Sequence, residues 1–412
     1  MVFKMNCRHC SSKLERIFVD LGFAPPSNAY LSEVDLNKPE LYYPLKVLSC
    51  SKCGLVQTLD YASSSELFSS DYAYFSSTSK LWVEHARAYS EMITEKLCLD
   101  SRSMVIELAS NDGYLLSNFV KKNIPCLGIE PTESTAVCAE KKGINVYKEF
   151  FGSDLAKKII VHQGLADLII GNNVYAHVPD INDFTKGMKD ILKPNGVITL
   201  EFPHLQELIS KAQFDTIYHE HYSYLSLNTV SNIFNKFGLK IWDVERLNTH
   251  GGSLRIYGCH AQDLRKISVS VQEILEGEKT FGINNPEVHH QFQLKAKRIK
   301  FEFIEFLVRS KKAGKLVVAY GAAAKGNTLL NFSGIKGDLI DCVYDEAKAK
   351  QGKFLPGSHI PILPPVALNN IQPDFIIIFP WNIASEVISQ IRGQGHLKAK
   401  FITFVPEVKI ID

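Results

Sequence analysis

The sequence of 412 residues has no apolar run that approaches the ~18 to 20 residues of a transmembrane helix. Its first residues, MVFKMNCRHCSS, lack the apolar stretch of a signal peptide. Charge of one sign is not in excess either, since 46 Lys plus Arg face 44 Asp plus Glu and the formal net charge is +2. These absences argue against membrane and nucleic-acid partners. They predict a cytoplasmic protein. We further expect a monomer or a small homo-oligomer.

The composition that remains is that of a soluble globular chain. Hydrophobic residues make up 45% and charged residues 22% of the sequence. The length is sufficient for two or three domains with a large buried core. The function must therefore be read from local motifs.

Four of the nine cysteines stand in two C-x-x-C pairs, Cys7 with Cys10 and Cys50 with Cys53. Two such turns can present four thiolates tetrahedrally to Zn²⁺, at about 2.3 Å from the metal. The 39 residues between the pairs exceed the usual ribbon gap of about 15 to 20, so a small subdomain is inserted there. With no histidine ligand and no open position, a structural zinc is predicted. Two unrelated reduced pairs, or a redox motif, are the alternative.

From Met104 onward, apolar runs alternate with helical text. MVIEL reads as a buried strand, ASNDG as a turn and YLLSNFVKK as the start of a helix, which is the unit that binds nucleotides at its carboxyl edge. Further strands are predicted at PCLGIEP, GINVYKEF, ADLIIGNNV and NGVITLEFP. LKIWDVERL and GGSLRIYGCH then read as a hairpin. A parallel α/β sheet that ends in an antiparallel hairpin is typical of S-adenosylmethionine-dependent methyltransferases.

The cofactor residues are placed by chemistry at the strand ends. The loop 109–113 must let a methionine moiety pass close to the backbone, which Gly113 permits. Glu107 and Glu130 end two strands, where carboxylates can take the ammonium group and the ribose hydroxyls. The alternative is that both are merely solvated strand-end residues. The predicted cofactor set is Glu107, Ala109, Ser110, Asn111, Gly113, Glu130, Asn172 and Asn173.

The final third begins with one apolar stripe on a helix, formed by Phe292, Ile299, Phe303, Phe306 and Leu307. GKLVVAYGAAAKGNTLLNF then repeats the strand, loop and helix pattern. Backbone amides at a helix start with a lysine beside them suit a pyrophosphate, and an acid about 20 residues on suits a ribose. The alternative is that the glycines only allow tight packing and that the acid caps a helix. The predicted binding set is Gly321, Lys325, Gly326, Asn327 and Asp345.

The stretch FDTIYHEHYSYLS, residues 214–226, contains two histidines, a glutamate and three tyrosines. The histidines of a zinc protease stand four apart on one helical face, whereas His219 and His221 stand two apart. A metal edge here would need further ligands from elsewhere. The stretch alone leaves a metal site, a general base and a polar loop open.

The order of these motifs resembles the bacterial nucleotide-sugar C-methyltransferases over essentially the whole chain. The motifs are the cysteine pairs, DYAYFSSTSKLW, ELASNDGYLL, NNVYAHVPD, FDTIYHEHYSYLS, THGGSLRIY and AYGAAAKGN. The resemblance implies three domains: a zinc-binding domain (1–70), a class I methyltransferase domain with a Rossmann-like fold (71–285) and a C-terminal half-Rossmann domain (286–412).

The same resemblance implies the catalytic residues. His221 corresponds to the base, with Glu220 and Tyr218 as supporting polar groups, and a carboxylate such as Glu220 could orient the imidazole. His177 could hydrogen-bond the keto oxygen as enolate charge develops. Tyr74 resembles an active-site tyrosine, although Tyr72 is close enough to be the match. His250 and Arg255 are expected to line the sugar pocket, unless the adjacent glycines form a bulge.

The function expected from these residues is methyl transfer from S-adenosylmethionine to C-3 of a 4-keto-deoxysugar carried on a nucleoside diphosphate. The proton beside a ketone must be removed to make that carbon a nucleophile, and histidine titrates near the working pH. dTDP is the favoured carrier, with GDP and CDP as alternatives. Two other functions stay open: methylation of RNA or protein by a zinc-containing enzyme, and nucleotide sensing without catalysis.

Overall fold

The computed structural model describes residues 5–61, 75–393, 395 and 398–411. Over these residues the strands, in chain order, are β1 (Arg16–Ala24), β2 (Tyr43–Ser49), β3 (Val56–Thr58), β4 (Val105–Leu108), β5 (Cys126–Ile129), β6 (Asn145–Tyr147), β7 (Ala166–Asn172), β8 (Leu192–Pro203), β9 (Ser223–Tyr224), β10 (Leu239–Leu247), β11 (Ser253–His260), β12 (Val317–Tyr320), β13 (Val343–Tyr344), β14 (Ile362–Leu363), β15 (Phe375–Ile378), β16 (Lys400–Thr403) and β17 (Lys409–Ile411).

The α-helices of the same residues are α1 (Lys80–Lys96), α2 (Leu116–Lys121), α3 (Glu133–Glu140), α4 (Ser153–Gln163), α5 (Ile181–Ile191), α6 (Leu205–Ser210), α7 (Leu227–Lys236), α8 (Val269–Phe281), α9 (Pro286–Lys312), α10 (Ala324–Ser333) and α11 (Ala384–Gly393). Within the described ranges no helix is both long enough and apolar enough to cross a membrane.

The strands form three sheets. The first is antiparallel and has the order β1-β2-β3-β9, so its last strand comes from the histidine stretch. The second has the order β10-β11-β8-β7-β4-β5-β6. Its strands β4 to β8 are parallel, and β11 runs antiparallel to both β8 and β10. The predicted parallel α/β sheet with a terminal antiparallel hairpin is confirmed.

The third sheet belongs to the C-terminal third and has the order β14-β13-β12-β15-β16-β17. Its strands are parallel except β17, which pairs antiparallel with β16. Strands β12 and β15 have four residues each. They are mostly apolar because both faces of a parallel sheet are covered. This is the second nucleotide-type fold that the sequence predicted.

The histidine stretch lies in the core that joins the first and third sheets. Helix α9 buries its stripe there, including Phe292 and Phe303, and packs against β1 and α10. Phe214, Ile217 and Tyr224 of the stretch belong to the same apolar cluster. Burial of apolar surface from the N-terminal and C-terminal parts therefore fixes the position of the stretch between them.

Candidate functional site

The four predicted zinc ligands lie together at the N-terminus. The Sγ atoms of Cys7, Cys10, Cys50 and Cys53 are all within 4.8 Å of one another, and none of these cysteines forms a disulfide. The Cys7–Cys53 and Cys10–Cys50 sulfur pairs are each 3.5 Å apart. Four sulfurs at about 2.3 Å from a tetrahedral ion would be about 3.8 Å apart, so the residues fit Zn²⁺. In the described residues this is the one cluster suited to a metal, and His219 is not part of it.

The cysteine turns are tied to both histidine loops. Arg8, between the first two cysteines, donates hydrogen bonds to the carbonyl oxygens of Pro179, at 2.7 Å, and Thr58, at 2.8 Å. β3, which follows the second cysteine pair, hydrogen-bonds to β9. Thr58 Oγ1 also donates to the carbonyl oxygen of His221 at 3.1 Å. The zinc-binding turns thus support the backbone on which His177 and His221 stand.

His221 has a defined tautomer. Its Nδ1 lies 2.8 Å from the carbonyl oxygen of Thr216, which can only accept, so Nδ1 carries the proton. Burial, followed by the neighbouring His177, holds the pKa of His221 well below its usual range. The ring is therefore neutral near pH 7, and Nε2 presents a lone pair. No hydrogen bond to Nε2 occurs among the described residues. This is the geometry of a general base.

His177 has the same tautomer for the same reason. Its Nδ1 lies 2.8 Å from the carbonyl oxygen of Glu220, and burial lowers the pKa of His177 to about 4. The centroids of the His177 and His221 rings are 4.6 Å apart. A neutral imidazole has one N–H, and here it is used by the backbone. The expected hydrogen bond from His177 to a keto oxygen therefore has no proton to supply it.

The other residues of the stretch take different positions. The Tyr218 ring lies 4.0 Å from that of His221, centroid to centroid. The Glu220 side chain accepts from Asn28 at 3.1 Å, and burial raises its pKa. The group that orients His221 is thus the Thr216 carbonyl and not the expected Glu220 carboxylate. Tyr72 and Tyr74 lie outside the described residues.

The cofactor edge combines unusual backbone angles with an unpaired carboxyl oxygen on Glu107. Ala109 and Asn111 have φ values of 56° and 49°, which few residues other than glycine adopt. Glu107 is buried, its Oε2 has no hydrogen-bond partner among the described residues, and burial with the nearby Glu130 raises its pKa well above the usual value. A cation placed there would restore its ionised form, so the residue fits the ammonium group of S-adenosylmethionine.

The remaining members of the cofactor set differ in whether their polar groups already have protein partners. Glu130 accepts from the backbone N–H groups of Asn111 and Thr132, both at 2.9 Å, so both its carboxylate oxygens are engaged. Asn172 ends β7 with both side-chain polar atoms buried and unpaired in the described part of the chain, as is Asn173 Oδ1. Ser110, within the loop, is fully buried, and its Oγ has no hydrogen-bond partner among the described residues. These unpaired groups can receive a ligand at the carboxyl edge of the sheet.

Gly113 lies against packed side chains. Its φ is +73°, and a Cβ built on it would lie 2.5 Å from Ile144 Cδ1 and 3.0 Å from Ala139 Cβ. That space is already filled by protein. The positive φ and this packing both require glycine here, and the approach of the cofactor to the backbone stays a prediction.

Arg255 is committed to two carboxylates. Its guanidinium pairs with Glu201 at 2.6 Å and Glu245 at 2.9 Å, and it lies 4.7 Å from the Tyr89 ring centroid. The expected role in lining a sugar pocket does not fit a buried guanidinium that already has these partners. His250, by contrast, has φ 52° and its Nε2 lies 3.4 Å from Asn173 Nδ2. Burial lowers the pKa of His250 to about 4.

The C-terminal glycines also serve packing. A Cβ on Gly321 would lie 2.4 Å from Pro380 Cδ, and a Cβ on Gly326 would lie 2.6 Å from Phe379 Cδ2. Asp345 accepts from the backbone N–H of Ala322 at 2.7 Å and from that of Ala347 at 2.8 Å. These contacts agree with the alternative interpretation, that the loop is built for tight packing.

Asn327 and Lys325 point in different directions from α10. Asn327 Nδ2 donates to the carbonyl oxygen of Ser27 at 2.7 Å and so joins the helix to the N-terminal part. Lys325 Nζ donates to Asn382 Oδ1 at 2.5 Å and lies 4.7 Å from the Trp381 ring centroid.

Sequence analysis missed two residues of this cluster. Trp381 Nε1 donates to Asp215 Oδ2 at 2.6 Å. Burial raises the pKa of Asp215 to about 6, and its Oδ1 is unpaired among the described residues. The available signal was that Asp215 is the second residue of the histidine stretch and that Trp381, one of three tryptophans, follows the apolar run FIIIF.

Comparison with known proteins matches the chain to three family models. They are a zinc binding domain over residues 7–68, a methyltransferase domain over 82–244 and a C-methyltransferase C-terminal domain over 248–406. The C-methyltransferase NovU of Streptomyces niveus is 32% identical over 407 residues, which cover 98% of this chain and 96% of the relative.

Solved structures resemble part of the chain. An S-adenosylmethionine-dependent methyltransferase from Clostridium acetobutylicum is 11% identical and covers 43% of this chain and 91% of its own, with a TM-score of 0.35. A protein from Pyrococcus horikoshii is 14% identical and covers 46% of this chain and 95% of its own, with a TM-score of 0.38.

Proposed function

Because this chain belongs to the family of S-adenosylmethionine-dependent C-methyltransferases, we propose that its acceptor is a keto-deoxysugar carried on a nucleoside diphosphate. The methylated carbon is C-3, beside a 4-keto group. dTDP is the favoured carrier, with GDP and CDP as alternatives. The observation that carries the proposal is His221, a neutral histidine whose Nδ1–H is bound by a backbone carbonyl and whose Nε2 presents a lone pair.

The chemistry requires a carbon nucleophile, and His221 supplies the base. Its Nε2 removes the proton beside the ketone, and the C–H electron pair becomes the double bond of an enolate. The bound cofactor supplies a methyl group on a cationic sulfur. That methyl group would pass to the carbon nucleophile, and the sulfur would keep the electron pair of the broken carbon–sulfur bond.

The other residues of the site hold the reactants. Glu107 binds the cofactor ammonium, and the unpaired Asn172 amide adds hydrogen bonds at the same edge. Tyr218 and His250 position the sugar, and Glu220 supports the loop through Asn28 and through its backbone carbonyl on His177. Tyr74 is kept as a candidate contact to the sugar. Four cysteine thiolates hold a structural zinc beneath the two histidine loops.

The test is proton exchange beside the ketone. Purified enzyme with cofactor and a dTDP-linked 4-keto-6-deoxysugar is placed in heavy water, and the C-3 proton signal is followed by NMR. We expect the wild type to exchange this proton and to transfer a methyl group. His221→Gln should lose both activities and still bind S-adenosylmethionine.

His219→Gln is the matched control, because His219 lies two residues away with its ring 5.9 Å from Tyr43. It should retain exchange. Cofactor binding without exchange or turnover on dTDP, GDP or CDP keto-sugars would favour a nucleotide-sensing module. Turnover without any exchange in the wild type would exclude the enolate.

A further inference from the structure

The proposed reaction needs a group that stabilises the enolate oxygen, and the two neighbouring histidines cannot supply it. His177 and His221 each spend their N–H on a backbone carbonyl. Burial keeps both rings neutral near pH 7. The Nε2 atom of this tautomer carries a lone pair, and a lone pair repels a negatively charged oxygen. A donor for the oxygen must therefore come from another residue.

Lys325 brings a positive charge into this cluster from the C-terminal part. Its ammonium lies 4.7 Å from the centroid of the Trp381 ring, and Lys325 and Asp215 line one small cavity of about 10 Å³. Asp215 directly precedes Thr216, whose carbonyl holds the base. The ammonium therefore lies against the loop that carries His221.

The Trp381 ring connects the same ammonium to the His250 loop. A Cβ built on Gly251 would lie 2.5 Å from Trp381 Cη2, so ring and loop are in close contact. The indole N–H holds Asp215 at 2.6 Å. The charge of Lys325 contributes to lowering the pKa of both His221 and His250. The ammonium thus belongs to the same cluster as the loop of the base and the loop of His250.

The ammonium has the capacity to act on a ligand. Burial lowers the pKa of Lys325 to about 8, an effect that Asp215 opposes, so most of the population is charged at pH 7. It has three N–H donors, and one hydrogen bond, to Asn382, is formed among the described residues. Arg255, the other cation expected at the sugar pocket, is neutralised by two carboxylates.

We propose that Lys325 is a further catalytic residue, which hydrogen-bonds the keto oxygen and stabilises the enolate, with Asp215 and Trp381 as positioning residues. The inference rests on the proposed function. When His221 takes the proton, the carbonyl π electrons move to oxygen and the ammonium donates a hydrogen bond to it. Lys325 stays protonated throughout. When the carbon receives its methyl group, the electron pair on the oxygen would form the C=O double bond again.

This places Lys325 at the reacting end of the substrate and not at the diphosphate, where the sequence had suggested it. The diphosphate is attached to C-1, across the sugar ring from a 4-keto group, so one ammonium cannot serve both. Asp215 also disfavours the diphosphate, since its carboxylate would face two negative charges instead of one.

The first experiment compares binding and exchange in Lys325→Met. Exchange of the C-3 proton is measured at saturating dTDP-keto-sugar, and the affinity for dTDP alone is measured by calorimetry with S-adenosylhomocysteine present. Loss of one transition-state donor should slow exchange by ~100-fold or more and leave dTDP affinity within about twofold. A drop of about tenfold or more in dTDP affinity with normal exchange at saturation would overturn the proposal. Absence of exchange in the wild type would instead remove the proposed function itself.

The second experiment uses Asp215→Asn, which also serves if Lys325→Met fails to fold. The titratable groups that face Lys325 are Asp215, His221 and His250. Removing the Asp215 charge should lower the pKa of Lys325, so the fall in exchange rate on the alkaline side should move to lower pH. If Asp215 were purely structural, the rate would fall but the alkaline part of the pH–rate profile would stay at the same pH. That result would contradict the assignment.

Discussion

Replacing Arg255 by methionine should destabilise the fold and leave the sugar site intact. The side chain of Glu201 is 1% exposed, and without Arg255 its remaining partner is His85, at 2.9 Å. Removing one member of a buried ion pair costs about 3 to 5 kcal/mol, because the other charge stays buried. The pair with Glu245 adds little, since that carboxylate is 38% exposed. We therefore expect a loss of about 3 to 5 kcal/mol in the free energy of unfolding.

The assay is urea unfolding followed by tryptophan fluorescence, with calorimetric titration of the sugar nucleotide on the folded variant. Glu245→Gln is the matched control: it removes the charge of the half-exposed pair, keeps an amide oxygen that can accept from the Tyr257 hydroxyl, and should cost at most about 1 kcal/mol. The double variant Arg255→Met with Glu201→Gln should recover part of the loss, because the stranded charge is gone. If Arg255→Met unfolds at the wild-type urea concentration but loses sugar-nucleotide affinity, Arg255 contacts substrate and the reasoning fails.

The pH dependence of exchange should show no loss on acidification through pH 6.5, since His221 has a pKa well below that ordinary value and stays an active base. On the alkaline side the rate should fall above about pH 8, where Lys325 loses its proton; a bell centred on an ordinary histidine pKa would contradict both assignments. Metal analysis should find one zinc per chain. Cys50→Ser should lower both the thermal stability and the exchange rate at saturation, because β3 holds β9 beside His221; full exchange in a metal-free, folded variant would refute the link.

The features predicted correctly from the sequence are those that depend on residues close together in the chain. The alternation in LKIWDVERL marked β10 with its observed ends, Leu239–Leu247, and the spacing of the cysteine pairs marked the sulfur cluster. Both features depend on residues that are close in sequence. The strand β9, by contrast, has two residues, too few to show any periodicity. Its place in the first sheet depends on a partner more than 160 residues earlier in the chain.

The residues whose contacts differ from the expected ones share a different cause. A glycine in a loop indicates that there is no room for a Cβ, but the sequence does not show whether a ligand or a protein atom fills that space. At Gly321 the atom that fills it belongs to Pro380. Likewise, a sequence does not show that Arg255 meets two carboxylates across neighbouring strands. The tautomers of His177 and His221 are set by backbone carbonyls, which every residue carries and which therefore leave no sequence signature.

The strand that the histidine stretch lends to the first sheet has a consequence for synthesis and for engineering. During translation the sheet stays open at β3 until residue 224 has left the ribosome. A fragment that ends at residue 61 would keep that edge unpaired, and unpaired edges promote aggregation. In chimeras between related enzymes, the cysteine-bearing segment must therefore travel together with residues 214–226. A crossover that separates the two would combine the His221 segment of one parent with the first sheet of the other.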